Sequence, residues 1–141
     1  MEGFTVSQVE RLTGVNRKTL HFWDRTGFLS PGIQAAHGTG SRRQYSFRDL
    51  VALRVAAQLR AAGISLQSLR VVMDRLRTRN DLESPLAETY LVTDGTEVWE
   101  RRGDDLMAVL RRPGQGFFTF VIDVPKTVRA VRQDLELEGL G

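Results

Sequence analysis

Apolar residues recur at helical intervals through the first 80 positions and at strand intervals after them, which predicts helices first and a small sheet second. Val9 and Leu12 share a helical face, and Ser7-Gln8-Val9-Glu10 fits a capping box that opens the helix. Thr13-Gly14-Val15 breaks the run, with Gly14 supplying the left-handed conformation of a tight helix end. Asn16 can cap a second helix, in which Leu20 and Trp23 form an apolar stripe with Phe22 on its flank. Arg17, Lys18, His21 and Arg25 are left for the other side, and Gly27 stops the helix. Two short helices joined by a tight turn are the means by which a recognition helix is held out from a small core.

Phe28-Leu29-Ser30-Pro31-Gly32 leads away from the second helix into a stretch with Gly38, Gly40 and Ser41 that reads as a loop tip. Arg42-Arg43-Gln44-Tyr45 then alternates charge with an aromatic, as a short strand with one wet face does, so a two-stranded wing is expected. Guanidinium groups there can bond phosphate oxygens in a bidentate way, while Tyr45 packs its ring inward and leaves its hydroxyl at the rim. Ser46-Phe47-Arg48-Asp49 can cap a third helix with Leu50, Leu53, Ala57 and Leu59 to Ala61 facing inward, ended by Ala61-Ala62-Gly63. Ser65 can cap a fourth, whose Leu66, Leu69, Val72, Met73 and Leu76 recur at helical spacing. Arg70, Arg75, Arg77 and Arg79 along that helix read as a solvated surface.

The period changes after Asn80-Asp81. Residues Glu88 to Thr93 and Glu97 to Arg101 flank Asp94-Gly95-Thr96, and Asp-Gly is a strong tight-turn signal between strands. Leu106 to Leu110 and Phe117 to Ile122 extend this to three or four antiparallel strands, with a turn at Arg111 to Gly116. Asp123-Val124-Pro125 opens a last, short helix with Val128, Val131 and Leu135 on one face. Tyr90, Trp99, Phe117, Phe118 and Phe120 read either as the core of that sheet or as the lining of a ligand pocket.

Charge sharpens the division. Residues 1–80 hold 13 Lys and Arg against five Asp and Glu, a net of +8, whereas residues 81–141 hold seven against 12, a net of −5. Clustered cationic charge is the footprint of a surface that neutralises phosphates. There is no cysteine, so disulfides and thiolate metal sites are excluded. His21 and His37 fall in different segments, and no metal site is expected. No apolar run has the length of a signal peptide or a membrane span, so a cytoplasmic protein without membrane contact is expected. Without cysteine, with two unpaired histidines, and with no phosphate loop or carboxylate pair on a shared face, no catalytic constellation is expected, and no cofactor is implied.

The segments Thr5 to Val9, Thr13-Gly14-Val15, Thr19 to Pro31, Arg43-Gln44-Tyr45-Ser46 and Asp49-Leu50 resemble, in order and spacing, the winged-helix DNA-binding domain of MerR-type transcription regulators. Leu59-Arg60-Ala61-Ala62-Gly63-Ile64-Ser65-Leu66 is similar to that family's pair of helices after the wing, which carries the resemblance from residue 4 to about residue 78. It implies phosphate contacts from the recognition helix and wing, and bending of promoter DNA by a dimer. His21 stands where the family usually has Arg, and Phe22-Trp23 replaces its commoner tyrosine pair. The rest of the chain has no heptad run long enough for the coiled-coil helix of the metal- and drug-sensing members.

The expected fold is therefore α+β, with a winged helix-turn-helix domain over residues 1–80 and a small β-rich domain with a C-terminal helix over residues 81–141. The expected function is that of a transcription regulator binding double-stranded DNA as a homodimer or higher oligomer, through Arg17, Lys18, His21, Arg25, Arg42, Arg43 and Tyr45. Residues 81–141 then serve assembly, an effector or a protein partner. The alternative is an antitoxin-like protein whose acidic second part masks a partner and whose first part controls its own synthesis.

Overall fold

The computed structural model describes residues 3–33, 44–80, 85–88, 90–93, 97–102, 105–110, 120–122 and 124–139. Helix α1 (Val6–Thr13) and helix α2 (Arg17–Arg25) form the helix-turn-helix, followed by α3 (Phe47–Ala61), α4 (Leu66–Asn80) and the single turn α5 (Pro85–Glu88). Strands β1 (Tyr90–Thr93), β2 (Val98–Arg102), β3 (Asp105–Leu110) and β4 (Phe120–Ile122) precede the last helix, α6 (Val124–Leu137).

The first helix starts earlier than the expected Ser7 capping box. Thr5 is the cap: its hydroxyl accepts from the Gln8 amide at 3.3 Å, and the Gln8 side chain accepts from the Thr5 amide at 2.9 Å. The reason lies outside the helix, because Phe4 exchanges backbone hydrogen bonds with Tyr45 and fixes the approach of the chain so that Val6 is already helical. Ser7 and Glu10 instead face the second helix, where the Ser7 hydroxyl meets the Arg17 guanidinium and the Glu10 carboxylate accepts from the Arg17 amide at 2.6 Å. At the far end Gly14 adopts φ 77°, a left-handed conformation that Ala would hold only under strain.

Helix α3 is the hub. Ser46 and Asp49 form the capping box the sequence predicts. Leu50, Val51, Ala52, Leu53, Val55, Ala56 and Leu59 are all buried, because α1, α4, α5 and α6 pack around it. Two positions expected to face inward, Arg60 and Ala61, are exposed where the helix runs out beyond those neighbours. Helix α4 follows its pattern, with Leu69, Val72, Met73 and Leu76 buried, and its first turn is tied by the Ser65 hydroxyl accepting from the Ser68 amide at 3.1 Å.

The strands form a sheet in the order β3-β2-β1-β4 with antiparallel neighbours. Glu88, expected in the first strand, belongs instead to α5, which Pro85 opens at a position where its missing amide costs nothing. The turns at 94–96 and 111–116, and Phe117 and Phe118 of the proposed aromatic lining, lie outside the described residues. Leu86, Leu91, Val98, Val131 and Leu135 join the same hydrophobic cluster as Leu20, Leu50 and Leu69.

Helix α6 turns back onto the helix-turn-helix. Thr127, Val131 and Leu135 are its buried positions. Around them, Gln58 donates to Thr127 at 3.1 Å, Asp134 pairs with Arg54, and Arg54 also donates to the Leu12 carbonyl at 2.7 Å. Arg132 lies over the Phe47 ring at 5.1 Å. At the end of the seam Glu138 pairs with Arg11 at 3.1 Å, and its hydrogen bond and charge push the Arg11 guanidinium above its ordinary pKa.

Candidate nucleic-acid interface

Helix α2 owes its position to both ends. At its start, the Asn16 side chain accepts from the Thr19 amide at 2.8 Å, so one orphan donor is satisfied and the chain enters at a fixed angle. Leu20 and Trp23 then point into the core at 1% and 5% exposure. Their burial leaves Arg17, Lys18, His21 and Arg25 on the solvent side, all exposed, with Phe22 beside them at 41%. Arg25 lies over the Phe22 ring at 5.7 Å, an arrangement that keeps an apolar ring and a cation together on the open face.

The other end is clasped by a residue the sequence reading leaves to solvent. Arg70 reaches from α4 to Thr26, donating to its hydroxyl at 2.5 Å and to its carbonyl at 3.3 Å. The same guanidinium lies 5.4 Å from the Phe28 ring, and Phe28 meets Trp23 edge-on at 5.1 Å. A cation at a helix C-terminus is favoured by the carbonyl partial charges there. Thr26 and Arg70 are 44 positions apart, so no local pattern could have revealed the pair.

Beside α2 runs a groove of about 570 Å³, lined by Lys18, His21, Phe22 and Arg25 of that helix, with Arg60 of α3 and Leu66 of α4. Arg60 is a further exposed cation that the sequence reading did not single out; it donates to the Ile64 carbonyl at 3.1 Å. An edge of four cationic or titratable side chains around an aromatic suits a polyanion with flat, partly apolar units.

The base of the expected wing is an isolated antiparallel bridge, in which Ile33 and Gln44 exchange backbone hydrogen bonds at 2.8 and 2.9 Å. Arg42 and Arg43, and His37, lie outside the described residues. Asp49 holds the base against α3: its Oδ2 accepts from the Gly32 amide and from the Ser46 amide, both at 2.7 Å. Tyr45 departs from its expected place at the rim. It is 1% exposed, because its backbone pairs with Phe4 and draws the whole side chain into the core. Among the described residues no group of three His, Cys, Asp or Glu could hold a metal ion, and no helix is long and apolar enough to cross a membrane.

Residues 4–76 match the family described as MerR HTH family regulatory protein. The chain is similar to an uncharacterised HTH-type transcriptional regulator of Mycobacterium tuberculosis, 37% identical over 112 residues that cover 79% of this chain and 49% of that protein. It is also similar to the putative heat shock protein HspR of Streptomyces coelicolor, 31% identical over 93 residues covering 65% and 59%. A third relative is the putative antitoxin VapB45 of M. tuberculosis, 30% identical over 142 aligned positions covering 85% and 59%. The chain thus spans about half the length of the first of these. No solved structure matches it significantly.

Proposed function

The chain belongs to the MerR HTH family of regulatory proteins, and from that premise we propose that it reads duplex DNA as a homodimer, with α2 in the major groove and the wing on the flanking sugar-phosphate backbone. The observation that carries this reading is the sorting of α2. Its apolar stripe is buried, and Arg17, Lys18, His21 and Arg25 are all presented on one open side, continuous with Arg60. Lys18 and Arg25 supply phosphate contacts, as do Arg42 and Arg43 of the wing. Arg17, at the N-terminal end of α2 and braced by Ser7, is the residue best set to enter the groove. Tyr45 acts from within the core, by fixing where the wing begins.

The role is regulatory rather than enzymatic, and it belongs in the cytoplasm, where the DNA is. Residues 1–80 form the reader, and residues 81–141, with the small antiparallel sheet, form the assembly, effector or partner-binding part. Binding of the chain to a duplex from its own upstream region, measured by fluorescence anisotropy across a salt series, tests the reading. Replacing Lys18 and Arg25 together with Ala should weaken binding and reduce the salt slope by about two, one for each phosphate-facing charge removed. An unchanged slope in that variant removes α2 from the interface.

A second reading follows from the more distant likeness to a putative antitoxin and from the net of −5 in residues 81–141. In it the acidic part masks a basic partner while the reader controls synthesis of both. Native purification separates the two readings: a stoichiometric second polypeptide held through residues 81–141 supports masking, and its absence supports the regulator alone.

A further inference from the structure

Among the described residues two large apolar side chains are exposed, Leu137 at the end of α6 and Phe22 in α2. Phe22 does not belong to the packed side of its helix, a role that Leu20 and Trp23 fill. Lys18, Phe22 and Arg25 follow one another at steps of four and three positions, so they form one row along α2 with the ring a turn away from a cation on either side. Arg25 lies over the ring, and across the groove stand Arg60 and Leu66. A polyanion drawn down by Lys18, Arg25 and Arg60 therefore meets an apolar surface among them, and covering that surface is favourable.

The ring's chemistry decides what it can recognise. Phe22 carries no side-chain donor or acceptor, so it can neither bond a phosphate oxygen nor read the donor and acceptor pattern of a base edge. On the floor of the major groove the one apolar substituent is the C5-methyl of thymine, while the other bases offer polar edges there. The minor groove has no such group, so the ring can discriminate only in the groove that α2 is proposed to enter.

We propose that Phe22 is a specificity-determining residue: its ring packs on the 5-methyl group of a pyrimidine in the major groove, thymine in an unmodified duplex, while Lys18 and Arg25 hold the phosphates beside it. The inference rests on the reading of α2 as the helix that enters the major groove, and it names the base that this helix selects.

A duplex that the full chain selects from a random-sequence pool supplies the probe, with affinity followed by fluorescence anisotropy. Remaking it with deoxyuridine for thymine, one position at a time, removes each methyl and leaves every hydrogen-bonding edge unchanged. For at least one thymine the parent should lose about fourfold in affinity, the worth of one buried methyl. Phe22→Ala should bind the thymine duplex at least about fourfold more weakly than the parent and show no uracil penalty at that position. The cycle of the two changes cancels any effect of the missing methyl on the duplex itself. With a cytosine·guanine pair there, 5-methylation of the cytosine should raise the parent's affinity by about the same factor and leave Phe22→Ala unmoved. Circular dichroism reports whether the variant folds; should Phe22→Ala unfold, Phe22→Leu, with a smaller apolar surface, carries the cycle and should show a reduced penalty.

No uracil penalty at any thymine, or an equal penalty in parent and variant, overturns the proposal. So does a Phe22→Ala protein whose salt slope falls by one while its uracil penalty stays whole, because the ring then serves only to orient Arg25. A chain that binds duplexes without preferring any overturns the proposal and leaves DNA binding standing, whereas a chain that binds no duplex overturns the regulator reading itself.

Discussion

At the scale of single residues, the reader depends on one aromatic and one cation that touch no expected ligand. Trp23 fills the space between α2 and the loop after it, 5% exposed and edge-on to Phe28. Truncation to Ala removes an indole's burial and leaves a cavity, so Trp23→Ala should destabilise the chain by about 3 kcal/mol or more in urea unfolding. Arg70 acts on the same aromatic pair from the far side while holding Thr26. Its substitution should do something different. Arg70→Ala leaves every exposed cation of α2 in place, so the salt slope of DNA binding should stay as in the parent while affinity for a specific site falls about tenfold, since a helix free to tilt loses aligned contacts together. Arg70→Lys keeps the charge without the planar fork and should recover only part of that loss. A salt slope reduced by one in Arg70→Ala would make Arg70 a direct phosphate contact instead.

At the scale of elements, what could be read in advance was what local chemistry decides. Asn16, Gly14 and the Ser46–Asp49 box fix helix ends through hydrogen bonds and backbone conformation within a few residues, and each stands where the pattern puts it. The Leu20–Trp23 stripe likewise determines which side of α2 stays wet. The shift of the first cap from Ser7 to Thr5 was not legible, because it depends on Phe4 meeting Tyr45 some 40 positions later. The burial of Tyr45 has the same cause, and the Arg70 clasp is as non-local. Nor was the docking of α6 legible, for its apolar face says only that it packs, not upon what. That docking is a mixed seam, in which Leu135 is 5% exposed whereas the Asp134 side chain is 42% exposed. A carboxylate so open gains little from its pair with Arg54, because solvent screens it. Leu135→Ala should therefore cost about 2 kcal/mol or more, and Asp134→Ala less than about 1 kcal/mol, in the same unfolding measurement. The reverse order would mean that the seam is held by charge.

At the scale of the whole molecule, composition and packing draw different boundaries. The change of period and of net charge near residue 80 divides the chain into a basic reader and an acidic sheet part. The hydrophobic cluster does not stop there, since Leu86, Leu91, Val98, Val131 and Leu135 beyond it join Leu20, Leu50 and Leu69 before it, with α3 at the centre. Two parts that share a core have no separate free energy of unfolding to lose, so they are expected to melt as one cooperative unit. The chain carries a natural probe on each side of the boundary, with Trp23 in the reader and Trp99 in β2. Trp99→Phe leaves fluorescence to report on the reader, and Trp23→Phe leaves it to report on the sheet. Each variant has its own stability, so each is followed by fluorescence and by far-ultraviolet circular dichroism in the same sample, and within each the two urea transitions should coincide. A sheet signal that melts ahead of the helical signal in Trp23→Phe would show that residues 81–141 can open while the reader stays folded. A partner or ligand on the sheet would then act on DNA binding through the contacts of α5, β3 and α6 with α3 and α4, and truncating Leu135 would weaken that coupling more than truncating Asp134.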